Sequence, residues 1–94
     1  MLEWREQYRT YPWGQLPEQV CRLGDYLASV YEEPEADPDE PAFVVEYYVA
    51  DELEGATGPV ETVDHEYCHT LEEAKTKAER WLQERATAGV QGDW

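Results

Sequence analysis

Residues 17–31, PEQVCRLGDYLASVY, decide how the chain is read. Pro17 suits the first position of a helix, and Glu18 complements the positive end of a helix dipole. Val20, Leu23, Leu27 and Val30 then recur at i, i+3, i+7 and i+10, which predicts a helix over 17–31. Gly24 falls inside that span at a cost of about 1 kcal/mol relative to Ala, and close packing against a neighbouring element accounts for it.

On the N-terminal side, residues 2–11 (LEWREQYRTY) fit a strand face of Leu2, Trp4, Tyr8 and Thr10, and also a helical spacing of Trp4, Tyr8 and Tyr11. The aromatic content favours the strand, which turns Glu3, Arg5, Gln7 and Arg9 outward. Pro12–Gly14 predicts a turn. On the C-terminal side, residues 32–41 (EEPEADPDEP) hold six acids and three prolines, and predict an extended, solvated loop. Residues 42–50 (AFVVEYYVA) alternate as a strand, with Phe43, Val45, Tyr47 and Val49 on one face and Val44, Glu46, Tyr48 and Ala50 on the other.

Gly55, Gly58 and Pro59 mark a connection over 51–59. Residues 60–68 (VETVDHEYC) then read as a second strand, antiparallel to the first. Its Val63, His65 and Tyr67 share one face, and Thr62, Asp64 and Glu66 the other. Thr70–Glu73 (TLEE) is a capping box, opening a helix with Leu71, Ala74, Ala78, Trp81, Leu82 and Arg85 at helical spacing. Gly89 suits a left-handed helix end, and 89–94 is expected to fray. Trp4, Trp13 and Trp81 are expected to anchor the core. The expected fold is α+β and two-layered: a small antiparallel sheet of two to three strands with two helices on one face. The order is β-α-β-β-α, in one acidic domain over 1–94.

The chain has 94 residues, 22 acids and 7 Lys or Arg, for a formal charge of −15. Its pI near 4.2 argues against direct binding to nucleic acid or an anionic membrane. A 41% hydrophobic fraction with 4 Trp and 7 Tyr is enough for a small core. No stretch has the roughly 20 apolar residues of a membrane span, and no leader pattern opens the chain, so a cytoplasmic protein is expected.

The acidity is not spread evenly. Residues 1–22 hold three acids and three bases, and residues 75–94 three acids and four bases; the 52 residues between hold 16 acids and no Lys or Arg. Adaptation to high salt would place acids over the helices too, and solubility needs a net charge of only about 2–8. Concentrating like charge costs self-repulsion, which a cationic partner would relieve.

With Val45, Tyr47, Val63 and Tyr67 toward the helices, Glu46, Tyr48, Asp64 and Glu66 face solvent. The loop acids Glu32, Glu33, Glu35, Asp37, Asp39 and Glu40 and the hairpin acids Asp51, Glu52 and Glu54 flank that face in sequence. Duplex DNA carries about one charge per 1.7 Å, so this acidity matches roughly 27 Å of duplex. Carboxylates so arranged fit the Arg and Lys sites of a nucleic-acid-binding protein, and Tyr26, Tyr31 and Tyr48 add contact area.

Other chemistries have weaker signals. His65, Cys68 and His69 with Cys21 make a Cys2His2 set, without paired CxxC or HxxxH spacing. The same residues make a Cys–His nucleophile pair, but adjacent acids would raise the thiol pKa. Asp37–Glu40 and Asp51–Gly55 resemble fragments of calcium loops without the alternating ligands of an EF-hand. No cofactor is implied.

In size and acidity alone, the chain is similar to small phage- or mobile-element-encoded inhibitors that imitate nucleic acid, such as antirestriction and anti-CRISPR proteins. That resemblance implies a non-enzymatic, stoichiometric inhibitor of a basic nucleic-acid-binding protein, and assigns no residue a role. The alternatives are an immunity protein or antitoxin against a basic nuclease, and a small metal-binding protein using His65, Cys68 and His69.

Overall fold

The span 17–31 is a β-hairpin. In the computed structural model, which describes residues 2–55 and 60–91, the elements are β1 (Trp4–Tyr11), β2 (Gly14–Leu23), β3 (Tyr26–Glu32), β4 (Phe43–Val49), α1 (Ala50–Glu54), β5 (Asp64–Cys68) and α2 (Leu71–Gln91). The five strands form one antiparallel sheet in the order β1-β2-β3-β4-β5. The expected β-α-β-β-α order and two-to-three-stranded sheet are therefore wrong.

The physical reason lies in residues 23–26. Leu23 pairs with Tyr26 across a two-residue connection, and its first residue, Gly24, sits at φ +62°. A hairpin turn of the II′ kind needs Gly at that position. Strand alternation then explains the apolar residues as well as a helical period does. Cys21, Leu23, Tyr26, Ala28 and Val30 fall on one face, while Val20 and Leu27 fall on the other. Pro17 is tolerated in β2 because pairing with β3 begins only at Glu18.

Residues 4–11 form a strand as expected, and β4 and β5 pair antiparallel. The intervening connection contains α1. Residues 56–59 of that connection, with Gly58 and Pro59, lie outside the described residues. The helix after Thr70 forms, and the Glu73 backbone N–H donates to Thr70 Oγ1 at 3.1 Å. It continues through Gly89 to Gln91, so Gly89 does not end it, and the expected fray at 89–91 is helix. Residues 92–94 lie outside the described residues.

One face of the sheet carries the core. Cys21, Ala28, Val30, Val45, Tyr47 and Cys68 are buried against Ala74, Ala78 and Leu82 of α2. Small Ala side chains let the helix lie close, and Trp81 fills the space beside them. Its ring stacks on Tyr47 (centroids 4.0 Å, 13°) and meets Tyr26 edge-on at 5.3 Å. Trp4 packs at the margin and donates its indole N–H to Glu79 at 2.8 Å. Trp13 is 62% exposed and anchors nothing in the core. No helix among the described residues is long and apolar enough to cross a membrane.

Candidate partner-binding surface

The face of the sheet away from α2 is charge-mixed, not acidic. Register places Arg5, Gln7 and Arg9 of β1, Glu18 and Arg22 of β2, Ser29 and Tyr31 of β3, and Glu46 and Tyr48 of β4 on it. Arg9 lies across this face. Its Nη1 is 3.1 Å from Glu46 Oε1, its Nε is 3.5 Å from Glu18 Oε2, and its guanidinium stacks 3.8 Å from the Tyr31 ring centroid. Glu18 is 8% exposed and also accepts from the Ser29 hydroxyl at 2.6 Å and from Gln7 Nε2 at 2.5 Å. A buried carboxylate is costly unless paired and hydrogen-bonded, and Glu18 is both.

This network explains the tyrosines. Burial, with Glu46 beside it, pushes the Tyr31 hydroxyl up to about 12, against the opposing pull of Arg9. Burial likewise raises Tyr48, which is 9% exposed. Tyr26 is half-buried against Trp81. None of the three offers the free contact area expected of it.

The strand β5 runs in the phase opposite to the expected one. Asp64 pairs with Tyr47 and Glu66 with Val45, so both acids lie on the α2 side, while His65 and Tyr67 share the open face with Glu46. The phase is set by Cys68, which is fully buried in the core. Glu66 accepts from the Tyr47 hydroxyl at 2.5 Å, and Asp64 accepts the His65 backbone N–H at 2.8 Å. Burial and then the Glu66 bond raise the Tyr47 pKa, so this phenol stays a donor. Glu46, Asp64 and Glu66 therefore do not form one solvent-facing surface.

The same alternation separates the proposed metal ligands. Cys21 and Cys68 are free thiols in the core, and His65 is on the opposite face. Strands β2 and β5 are three spacings apart, roughly 14 Å, beyond disulfide reach. No group of three or more potential ligands gathers among the described residues. Burial raises both thiol pKa values, which suits packing and not nucleophilic chemistry. The metal-binding and Cys–His readings find no site here.

The remaining acids are sorted to the two ends of the sheet. Phe43, at the start of β4, pairs with Cys68, at the end of β5. The β3–β4 loop and the first turn of α2 consequently meet at one end. The other end holds α1 and the Gly24–Asp25 turn, tied by the Ala50 N–H to the Asp25 carbonyl at 2.9 Å. Seven residues of β4 separate these ends by roughly 24 Å. Asp51 and Glu52 sit at the α1 end, where Asp51 pairs with Arg22 at 3.4 Å. Glu54 is there in backbone position.

The loop end carries Glu32, Glu33, Glu35, Asp37, Asp39 and Glu40. The segment is not extended. Glu33 N–H donates to Ala42 O at 2.6 Å and closes its neck. Two turns follow within it: Ala36 N–H to Glu33 O at 3.4 Å, and Glu40 N–H to Asp37 O at 3.0 Å. Pro34 and Pro38 each hold the second position of a turn, where the fixed φ of proline fits. The prolines thus shape a compact display of carboxylates. Among the described ion pairs, none involves these six acids.

Two features of this end escaped the sequence reading. Glu72 and Glu73 open α2 beside the loop, a placement visible only from the sheet register. The β1–β2 hairpin also points this way, with Tyr11 and Trp13 at its tip. An exposed Pro-Trp-Gly turn was the available signal. In comparisons with known proteins, no family model, curated protein or solved structure matches the chain.

Proposed function

We propose that the chain is a stoichiometric binding protein or inhibitor that sets its acidic loop end against the nucleic-acid site of a basic partner protein. No catalytic step is involved. The observation that carries this reading is the sorting of charge: Glu18 and Glu46 on the open face are paired with Arg9, whereas the six acids at the loop end have no basic partner among the described ion pairs. The two proline turns support it by holding the carboxylates in place before contact, which lowers the ordering cost of binding. Concentrated like charge also steers a cationic partner, so association should be fast and strongly salt-dependent.

The setting is that of an anti-defence inhibitor carried by a phage or mobile element, or of an immunity protein against a nuclease toxin. The partner's identity separates the two. The test uses the combined Glu35→Lys, Asp37→Lys and Asp39→Lys variant. A partner retained by the immobilised wild-type chain and eluted by salt is purified and titrated with both proteins. The reversal should slow association at least 10-fold while circular dichroism stays unchanged, and DNA or RNA should compete with the wild type. Equal binding by the variant, or a ternary complex with nucleic acid in its normal site, would overturn the reading.

A further inference from the structure

The β1–β2 hairpin overhangs the rest of the sheet. Pairing of β2 with β3 starts at Glu18, so residues 14–17 pair with β1 alone. Because β3 ends at Glu32, level with Pro17, residues 14–16 extend roughly 10 Å past it, on the side where the acidic loop begins. At the tip, Tyr11 pairs with Gly14 across Pro12 and Trp13. The Tyr11 and Trp13 rings stack in parallel, with centroids 5.0 Å apart and planes 5° apart. Trp13 is 62% exposed; Tyr8, on the other face of the same hairpin, is 60% exposed.

This stack lies outside the core. The core draws its aromatic packing from Trp4, Tyr26, Phe43, Tyr47 and Trp81, and neither tip ring belongs to it. Trp and Tyr are enriched among the residues that dominate interface energies, and here Trp13 is exposed while Tyr11 is partly so. The pair stands at the same end of the sheet as loop carboxylates that have no basic partner among the described ion pairs, a combination that narrows the partner. A duplex hides the faces of its bases and presents phosphates and groove edges. Single-stranded or flipped-out nucleic acid presents phosphates together with bare ring faces, and its binding proteins offer basic grooves with aromatic or Arg platforms.

We infer that the Tyr11–Trp13 stack stands in for unpaired nucleobases while the loop acids stand in for phosphates. The partner is then a protein that binds unpaired nucleic acid by stacking. This inference rests on the acidic-surface reading and refines it.

The test compares Trp13→Ala, Trp13→Phe and the triple loop reversal against the partner captured above. Trp13→Ala should weaken binding about 30-fold, with little change in salt dependence. Trp13→Phe should recover much of that loss, and the loop reversal should flatten the salt dependence. A single-stranded oligonucleotide should displace the chain at a lower phosphate concentration than duplex DNA or heparin.

Wild-type affinity in Trp13→Ala, or preferential displacement by duplex, overturns the inference and leaves the acidic-surface reading intact if the loop reversal still abolishes binding. Failure to capture any protein that nucleic acid displaces overturns both. A monomer–dimer equilibrium that shifts in Trp13→Ala, read by analytical ultracentrifugation, would assign the tip to self-association instead and also overturns the inference.

Discussion

The open face of the sheet and the β3–β4 loop both carry acids, and the fold treats them in opposite ways. On the open face, Glu18 and Glu46 converge on Arg9, with Ser29 and Gln7 completing the bonds to Glu18. At the loop end, Glu32 closes β3 and five more acids lie on two proline turns, where Glu33 accepts the Glu35 backbone N–H; none of the six has a basic partner among the described ion pairs. Negative charge is therefore structural in one region and available in the other. Net charge alone, at −15, does not distinguish these roles.

The sharpest way to break this comparison is Arg9→Ala. Glu18 would stay buried without its cation, and Tyr31 would lose the stacked guanidinium. The expected loss is about 3 kcal/mol in urea unfolding, toward the low end for broken buried pairs because Arg9 is partly exposed. A loss under about 1 kcal/mol would show that Glu18 does not depend on it. Arg9→Lys should recover only part of the loss, since one ammonium cannot serve both Nε and Nη1 contacts.

The second probe is alkaline pH. Tyr31 is raised from 10 to about 12 in the fold, chiefly by burial and then by Glu46. Its neutral form therefore contributes stability that is whole below pH 10 and is lost as pH rises through about 12. Urea midpoints measured between pH 9 and 12 should fall, and Tyr31→Phe should flatten that fall. An unaltered slope in the Phe variant would remove Tyr31 from the network.

Smaller effects belong to the surface. Arg22→Ala breaks a pair with Asp51, whose side chain is 78% exposed, and should cost about 0.5 kcal/mol in the same assay. The loop reversal at Glu35, Asp37 and Asp39 should cost nothing, and at low salt should raise the melting temperature slightly by relieving repulsion. A clear destabilisation would mean that these carboxylates hold the loop together. The contrast with the open face would then disappear.

Several elements could be read directly from the residues. β4 alternates cleanly, and the TLEE box starts α2 at the predicted residue. The aromatic segment 4–11 is a strand. The hairpin at 14–32 was hidden because Val20, Leu23, Leu27 and Val30 satisfy a helical period by chance. Gly24-Asp25 between two apolar runs was the competing signal, and it prevails because a Gly at positive φ closes a two-residue turn at no steric cost. Misreading that turn removed two strands from the sheet. It also hid the face on which Arg9, Glu18 and Glu46 meet.

The site was legible in part. The charge asymmetry is a property of the residues alone, and so is the proline spacing that builds the loop turns. The phase of β5 was not legible, since either alternate set of VETVDHEYC is a plausible buried face. Burial of Cys68 against α2 decides it and turns Asp64 and Glu66 away from Glu46.

By itself, the order of amino acids fixes where negative charge is concentrated along the chain, where α2 begins and where proline bends the backbone. These depend on residue type and on neighbours a few positions away. Which carboxylates meet an arginine and which remain exposed is decided only by strand register and pairing order. Those are contacts between residues far apart in the chain, such as Arg9 with Glu46, and local spacing carries no record of them.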